Sequence, residues 1–510
     1  MGRALRRVGP QIPKVPQNVP CPGPSSERSV RGACLFAHMN AHDESDAVLH
    51  PAGPRGGACQ CNDPGCAGDS THGLVFTTEA ARRQPHALRS LVPLLSIPGC
   101  VWLAGGTPHV STFPFTSASF TLQEGGKQLT LTPEELGDAQ QYCMADTGYP
   151  QLVQYLEEHV AAVHGPQQRP QIAVTCGNTS ALDCVLRCIC NRGDVILVEE
   201  WTYAPALQLM HALGLRIKRV PCDACGPCLE SMVHALEERE QPRVLAMYCV
   251  PVSANPTGVT WSQERKKAVC ALAQKHNVVL IEDDAYFYLQ FNTAAPGEAT
   301  QQPGLTGLGK SLLSYDTSGH VVRLDTVSKG IAPGLRLGWI TTSHSDMHTA
   351  LVRTFQGSVQ GAASLSQVLL NRLLRDWHPQ DGFHTHLQRL QASYAARCVA
   401  LCAAAERHLG TGGKPWATWL MPSAGMFLWL HLHCKSSHAS GVLDTETELQ
   451  ALLGDYAVAA VPGARFSSEA GVRSPHLRVS FASASEPEFE AGMQRLAALL
   501  EHVDSRTASA

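Results

Sequence analysis

From residue 171 onward, short and almost uninterrupted apolar runs alternate with amphipathic stretches. The runs are QIAVTCG (171–177), VILVEE (195–200), RIKRVPC (216–222), RVLAMYCVP (243–251) and VVLIEDD (278–284). Between them, residues 178–190, 204–213, 229–239 and 262–276 carry helical spacing. Strands that are apolar at successive positions are buried on both faces, and repeated βα alternation sets them parallel. The expected fold is therefore α/β, a mainly parallel sheet covered by helices. After about residue 383 the pattern changes to a long helix, two or three strands and a closing helix, which predicts a smaller α+β unit. The larger unit is expected to span about 141–365, and the smaller to combine 73–140 with 366–505. Residues 1–72 are dense in Pro, Gly and Ser, show no sustained period, and read as a disordered extension.

Composition narrows the partners. With 44% hydrophobic and 16% charged positions among 510 residues, the chain can bury a large core. A net charge of -4 gives no electrostatic reason to bind nucleic acid or an anionic membrane, and no apolar run reaches the ~18 residues of a span. A small-molecule partner is expected. Nineteen cysteines, an odd number, fit a reducing compartment. Arg3, Arg6, Arg7 and Lys14, with no acid in the first 26 residues, resemble a mitochondrial leader, but six prolines there oppose an amphipathic helix. The cytoplasm is the expected location, with the mitochondrion as the alternative. Cys59, Cys61 and Cys66, like Cys222, Cys225 and Cys228, have metal-like spacing. Neither group supplies the four ligands of a structural zinc site, so no metal is expected.

Ligands of parallel sheets sit at the carboxyl ends of the strands. Asn178 and Thr179 open a helix after the first strand, where they either cap it or present free N–H groups to a phosphate. Tyr203 follows the second strand, either as a surface residue or as a stacking ring. Asn255, before Pro256, projects at the sheet edge. Glu282, Asp283 and Asp284 end a buried strand; a helix cap accounts for one at most, and at least one needs a cationic partner. In LDTVSKGIAPGLRLGW (324–339), Lys329 stands at a strand end with Arg336 seven residues on. Burial and a neighbouring cation both favour the neutral amine, a nucleophile able to form a Schiff base with an aldehyde. Pyridoxal 5'-phosphate needs such a lysine together with a phosphate clamp, a carboxylate at its ring nitrogen and a stacking ring. Arg336 with the Asn178/Thr179 helix end, Asp284 and Tyr203 supply these.

The ordered motifs LAGGTPHVSTFPF (103–115), YCMADTGYPQL (142–152), VTCGN, NPTG, IEDDAYFYLQF, DTVSKGIAPGLRLGW, PSAGMFLWL (422–430) and LRVSFASAS (477–485) resemble those of fold-type-I aminotransferases dependent on pyridoxal phosphate. The likeness is strongest to the kynurenine/2-aminoadipate and fungal aromatic subgroup and covers about 74–505. It implies that Lys329 carries the cofactor as a Schiff base, Asp284 pairs with the ring nitrogen, Tyr203 stacks on the ring, and Asn255 bonds the phenolic oxygen. Asn178, Thr179, Thr326, Ser328 and Arg336 would hold the phosphate, with Tyr142 reaching in from the second subunit of a homodimer that shares its active sites. Arg478 would clamp the substrate carboxylate, and Arg89 and Gly106 would close over it. Side-chain preference would depend on Arg89, residues 106–115 and Phe427. The implied reaction moves an amino group from an aromatic, kynurenine or 2-aminoadipate-type amino acid to a 2-oxo acid such as 2-oxoglutarate. Other chemistry on the same fold, such as a carbon–sulfur lyase, is the alternative; an aminotransferase-like regulator lacks its basic DNA-binding domain. One departure stands out. With Asp284 as the acid, the tyrosine three residues later becomes Phe287, which removes a phenolic donor and leaves the Schiff base more basic.

Overall fold

The computed structural model describes residues 74–508 except 75, 86, 88–90, 93, 95–96, 144, 239–242, 294–300, 379–380, 411–414, 435–440, 442 and 450–453. Arg89, the extension 1–72 and the cluster Cys59, Cys61 and Cys66 lie outside the described residues. Seven strands form the main sheet: β1 (Gln171–Thr175), β2 (Val195–Glu199), β3 (Arg216–Val220), β4 (Val244–Cys249), β5 (Val279–Asp283), β6 (Val321–Thr326) and β7 (Gly338–Thr342). Their order is β1-β7-β6-β5-β4-β2-β3. Only β7 runs against its neighbours, pairing antiparallel with both β6 and β1. All the other pairings are parallel, so their carboxyl ends share one edge.

Among the described residues the helices of nine or more residues are α1 (Pro150–His164), α2 (Asn178–Ile189), α3 (Ala204–Ala212), α4 (Leu229–Glu237), α5 (Gln263–His276), α6 (Ser345–Gln356), α7 (Ser364–Trp377), α8 (Gly382–Ala405) and α9 (Glu486–Ala508); Thr78–Arg82 and Pro133–Gln140 form shorter ones. Alternate strand residues feed two separate cores. Ile196, Val198, Ala246, Tyr248, Ile281 and Leu324 pack with α2, α3 and α6. Val195, Leu197, Met247, Cys249 and Leu280 pack with α1, α4, α5 and α7. This double cover explains why the strands read as continuous apolar runs: both sides of the pleat are dry. Cys184, Cys188 and Cys190 are buried as small apolar side chains of α2 and its end.

A second sheet of β8 (Ala417–Thr418), β9 (Phe427–Leu432), β10 (Val461–Pro462) and β11 (His476–Ser480) has the order β8-β9-β11-β10 and is antiparallel throughout. Leu428, Leu430, Leu477 and Val479 turn one face of it onto α8 and α9. Of the residues 73–140 expected with this smaller unit, the described ones that are buried in a core pack on the larger one instead. Phe76 and Ala80 join the α2/α6 layer, and Thr77 N donates to Cys188 O at 2.8 Å. Leu131, Leu136 and Ala139 join the opposite layer, as do Val368, Leu370 and Leu374 of α7.

Candidate active site

A cavity of ≈ 410 Å³ opens at the carboxyl edge of the large sheet. The β1–α2 junction contributes Asn178 and Thr179, the end of β2 Tyr203, and the segment after β4 Asn255; Thr326, Ser328, Lys329 and Arg336 come from the β6–β7 connection. Phe427 and Arg478 reach in from β9 and β11 of the smaller sheet. Asn178 and Arg478, 300 positions apart, thus line one cavity where the carboxyl edge of the parallel sheet meets the smaller sheet.

Lys329 lies in the turn between β6 and β7, with Arg336 two residues before β7. Burial first, and the Arg336 guanidinium second, pull the Lys329 amine below its ordinary range. Arg336 itself adopts a left-handed backbone conformation at φ 52°, which costs a non-glycine residue energy and recurs where a side chain must be aimed. A Cβ built on Gly177 (φ 93°) would stand 3.0 Å from Arg336 Nη2, so the bare glycine lets the guanidinium close on the start of α2. No side chain caps α2, which leaves its first N–H groups facing the cavity alongside Arg336, Thr179 and Ser328. This is a fitting cradle for a phosphate. Thr326 shapes the turn: its hydroxyl bonds Leu337 O at 2.9 Å and Ser328 Oγ at 2.9 Å.

Arg478 is held from three sides. Its Nη1 donates to Asn255 Oδ1 at 2.8 Å, and its guanidinium stacks over Phe427 at 4.2 Å and Phe466 at 5.0 Å. Its Nε is buried with no partner among the described residues, a donor suited to a carboxylate.

The acid end of β5 corrects the expected register. Asp283 lines the cavity, accepting from Asn178 Nδ2 at 2.6 Å and Tyr248 Oη at 2.9 Å. Asp284 does not line it. Its Oδ2 lies 3.0 Å from Arg323 Nη1 on the opposite side of the sheet, where Arg323 also meets Glu282 at 3.1 Å and Asp325 at 2.8 Å. All four side chains are essentially buried. Strand alternation is the reason: residues 281 and 283 face α2 and α3, whereas 280 and 282 face the other layer, and a one-residue shift exchanges the faces. The carboxylates therefore do have the cation they need, but it is Arg323, on the neighbouring strand.

The Phe287 departure falls with the register. Three residues after Asp283 stands Tyr286, a cavity residue whose phenol faces Asn255. Phe287 is buried behind the sheet, 4.6 Å from the Arg323 guanidinium. The extra basicity expected from a missing phenol accordingly has no basis. Reading Asp283 as the acid would have given a tyrosine at the right spacing, a signal already present in IEDDAYFYLQF. Tyr248 and Arg323 gave no such signal, since each reads as one more residue of a buried strand.

Tyr142 and Gly106 do not line this cavity. Tyr142 is 60% exposed. Gly106 is exposed as well, with open space around its Cα. Among the described residues no group of His, Cys, Asp and Glu is placed to hold a metal ion, and no helix is long and apolar enough to cross a membrane.

The sheet order, the single reversed strand and a lysine between a phosphate cradle and a carboxylate define a pyridoxal-phosphate enzyme of fold type I. Comparison with known proteins narrows this. Residues 125–496 match the family "Aminotransferase class I and II". An aromatic amino acid aminotransferase of Schizosaccharomyces pombe is 33% identical over 436 residues, covering 78% of this chain and 90% of its own. The mitochondrial kynurenine/alpha-aminoadipate aminotransferase of Bos taurus is 31% identical over 445 residues, covering 84% and 98%. Among solved structures, aminotransferase Aro8 from Candida albicans superposes with a TM-score of 0.75 at 27% identity, over 84% of this chain and 98% of that one. The chain belongs to the class I and II aminotransferases. It is a transaminase, and its cofactor is pyridoxal phosphate.

Proposed function

We propose that this aminotransferase takes its amino group from an aromatic, kynurenine or 2-aminoadipate-type amino acid and passes it to a 2-oxo acid, with 2-oxoglutarate as acceptor. One observation carries the reading: Lys329 and Arg478, from different sheets, face a single cavity with an aromatic wall of Tyr203, Tyr286 and Phe427. The names of the relatives agree with that substrate class. When bound, pyridoxal phosphate supplies an aldehyde carbon that exchanges amines and a ring that accepts the electron pair of the substrate α-carbon. Lys329 holds the cofactor and then, as a free amine of lowered pKa, moves the proton at the α-carbon. Asp283, rather than Asp284, faces the ring nitrogen. Tyr203 stacks on the ring, and Asn255 with Tyr286 serves the phenolic oxygen. The start of α2, Thr179, Ser328 and Arg336 hold the phosphate, while Arg478 meets the substrate carboxylate. Gly106 keeps the expected role of closing over the substrate as part of this reading, and Arg89, given the same role, lies outside the described residues.

A panel of amino acids mixed singly with the enzyme tests the reading, followed by the loss of the aldehyde form's absorbance. Conversion by aromatic amino acids, kynurenine or 2-aminoadipate, reversed by 2-oxoglutarate, is the expected result. Release of ammonia together with a 2-oxo acid would instead mark elimination chemistry.

Arg478→Ala should weaken every donor regardless of side chain, because all share the α-carboxylate. Losing a buried charged partner costs about 2–5 kcal/mol. A loss confined to one class of donor would place Arg478 at the side-chain pocket.

The enzyme acts as a homodimer with shared sites. Tyr142 is 60% exposed, and Val101, Leu103, Val110 and Phe115 of the preceding segment are exposed as well, apolar side chains of the kind a second copy covers. Mixing Tyr142→Phe chains with Lys329→Ala chains should yield hybrids in which one site carries both defects and the other neither. A fully active isolated monomer would remove this claim. The assigned compartment is the cytoplasm, which imaging of a full-length fluorescent fusion checks against the mitochondrion.

A further inference from the structure

Asp283 is a buried carboxylate whose two oxygens are each already gripped by the protein. Asn178 Nδ2 donates to Oδ1 at 2.6 Å and Tyr248 Oη donates to Oδ2 at 2.9 Å. The orientation of the Asn178 amide follows from its surroundings. Its nitrogen also lies 3.0 Å from Leu324 O, so both of that atom's partners are acceptors and only the NH2 end satisfies them. Leu324 is the residue that pairs with Asp283 across β5 and β6, so one amide ties the carboxylate to the backbone of the neighbouring strand. Room for this comes from Gly338, where a Cβ would stand 3.0 Å from Asn178 Oδ1 and 2.5 Å from Asp325 O. Tyr248 approaches from β4, where it pairs with Ile281, two residues before Asp283 on the same face. Burial, and then the Asp283 charge, hold the Tyr248 proton well above its ordinary range, so its phenol is a permanent donor. Burial raises the Asp283 pKa, and the bonds from Asn178 and Tyr248 oppose that rise.

We infer that Asn178 and Tyr248 are positioning residues that clamp the Asp283 carboxylate toward the cofactor's ring nitrogen and favour its charged form, and that the Asn178 side chain serves this clamp rather than the phosphate. The inference rests on the reading of Asp283 given above and extends it. Asn178 is the first residue of α2, so its backbone still faces the phosphate cradle while its amide is turned inward to the acid. The helix start thereby links the two ends of the cofactor. Neither residue reacts. Each acts through Asp283 by keeping both carboxylate oxygens in place, a fixed negative charge that a protonated ring nitrogen can meet without reorganisation.

Binding to the full chain stripped of cofactor provides the test, with three probes: pyridoxal phosphate, its deaza analogue in which a C–H replaces the ring nitrogen, and pyridoxal without phosphate. The wild type should prefer pyridoxal phosphate to the deaza analogue. Tyr248→Phe and Asn178→Ala should each shrink that preference by roughly tenfold, the lower end for a hydrogen bond to a charged group. The preference of Asn178→Ala for pyridoxal phosphate over pyridoxal should stay at the wild-type value. Asn178→Ser, whose hydroxyl is too short to reach Asp283, should behave like the alanine variant. An unchanged ring-nitrogen preference in these variants, or a fall in the phosphate preference of the Asn178 variants, overturns the clamp. Asp283→Ala separates the two levels. If it keeps the ring-nitrogen preference, the assignment of Asp283 itself is wrong; if it loses that preference while the clamp variants keep it, only the clamp fails. Tyr248→Phe changes a single atom within the strand core, so it decides the matter even where an Asn178 variant does not fold.

Discussion

Lys329→Ala should leave a folded protein that still binds pyridoxal phosphate but turns over at least ~10⁴-fold more slowly, the upper range for removing a positioned acid–base group. Two losses combine in that figure. The amine anchors the cofactor covalently, and it then carries the proton at the substrate α-carbon from a distance no solvent group matches. Its lowered pKa, set by burial and by Arg336, places more of it in the neutral form that both tasks require. The fold should be indifferent, since Lys329 is half-buried in a turn beside the cavity and pairs with no carboxylate among the described residues. Borohydride reduction followed by peptide mapping checks the site. The wild type should carry the reduced adduct on Lys329 and the variant should carry none; an adduct on another lysine would show that the strand end was misread.

Neighbouring aspartates should give opposite phenotypes. Asp283→Ala is expected to reduce turnover by roughly 10²–10³-fold, as removal of a preorganised electrostatic partner does, and to cost about 1–3 kcal/mol of stability for the buried donor it leaves unsatisfied. Asp284→Ala should retain turnover in its folded fraction and lose about 3–5 kcal/mol of stability, because it breaks a buried ionic cluster. The structure sets this contrast: Asp283 faces the cavity with two protein donors, while Asp284 faces Arg323, whose charge Asp325, Glu282 and Asp284 sustain against complete burial. Arg323→Met should be more damaging still, leaving three carboxylates without their shared cation. Urea unfolding alongside kcat at saturating cofactor resolves the two kinds of effect. A stable but inactive Asp284→Ala would reverse the register.

Much of the site was legible because parallel strands turn sequence order into a spatial rule. Each apolar run predicted a strand, and the polar residue after it predicted a cavity position, which is how Tyr203, Asn255, Lys329 and Arg336 come to share one lining. Arg478 needed more than periodicity. It lies on a half-buried strand of the smaller sheet, and only the motif resemblance pointed to it. Choosing between Asp283 and Asp284 failed for a simple reason: three successive acids end β5, and a fully buried strand carries no polar alternation to say which face is which.

The amino-acid sequence by itself determined the α/β class, the strand positions, the cofactor and that Lys329 stands at the cavity, because burial on both faces and the identity of strand-end residues are local properties. Only the tertiary structure decided which carboxylate enters the cavity, that Arg323 neutralises the others, that Asn178 bonds an acid, and that Phe76, Ala80, Leu131, Leu136 and Ala139 pack on the large unit. Those outcomes depend on pleat parity and on which apolar surfaces remain to be covered, and both are settled between segments far apart in the chain.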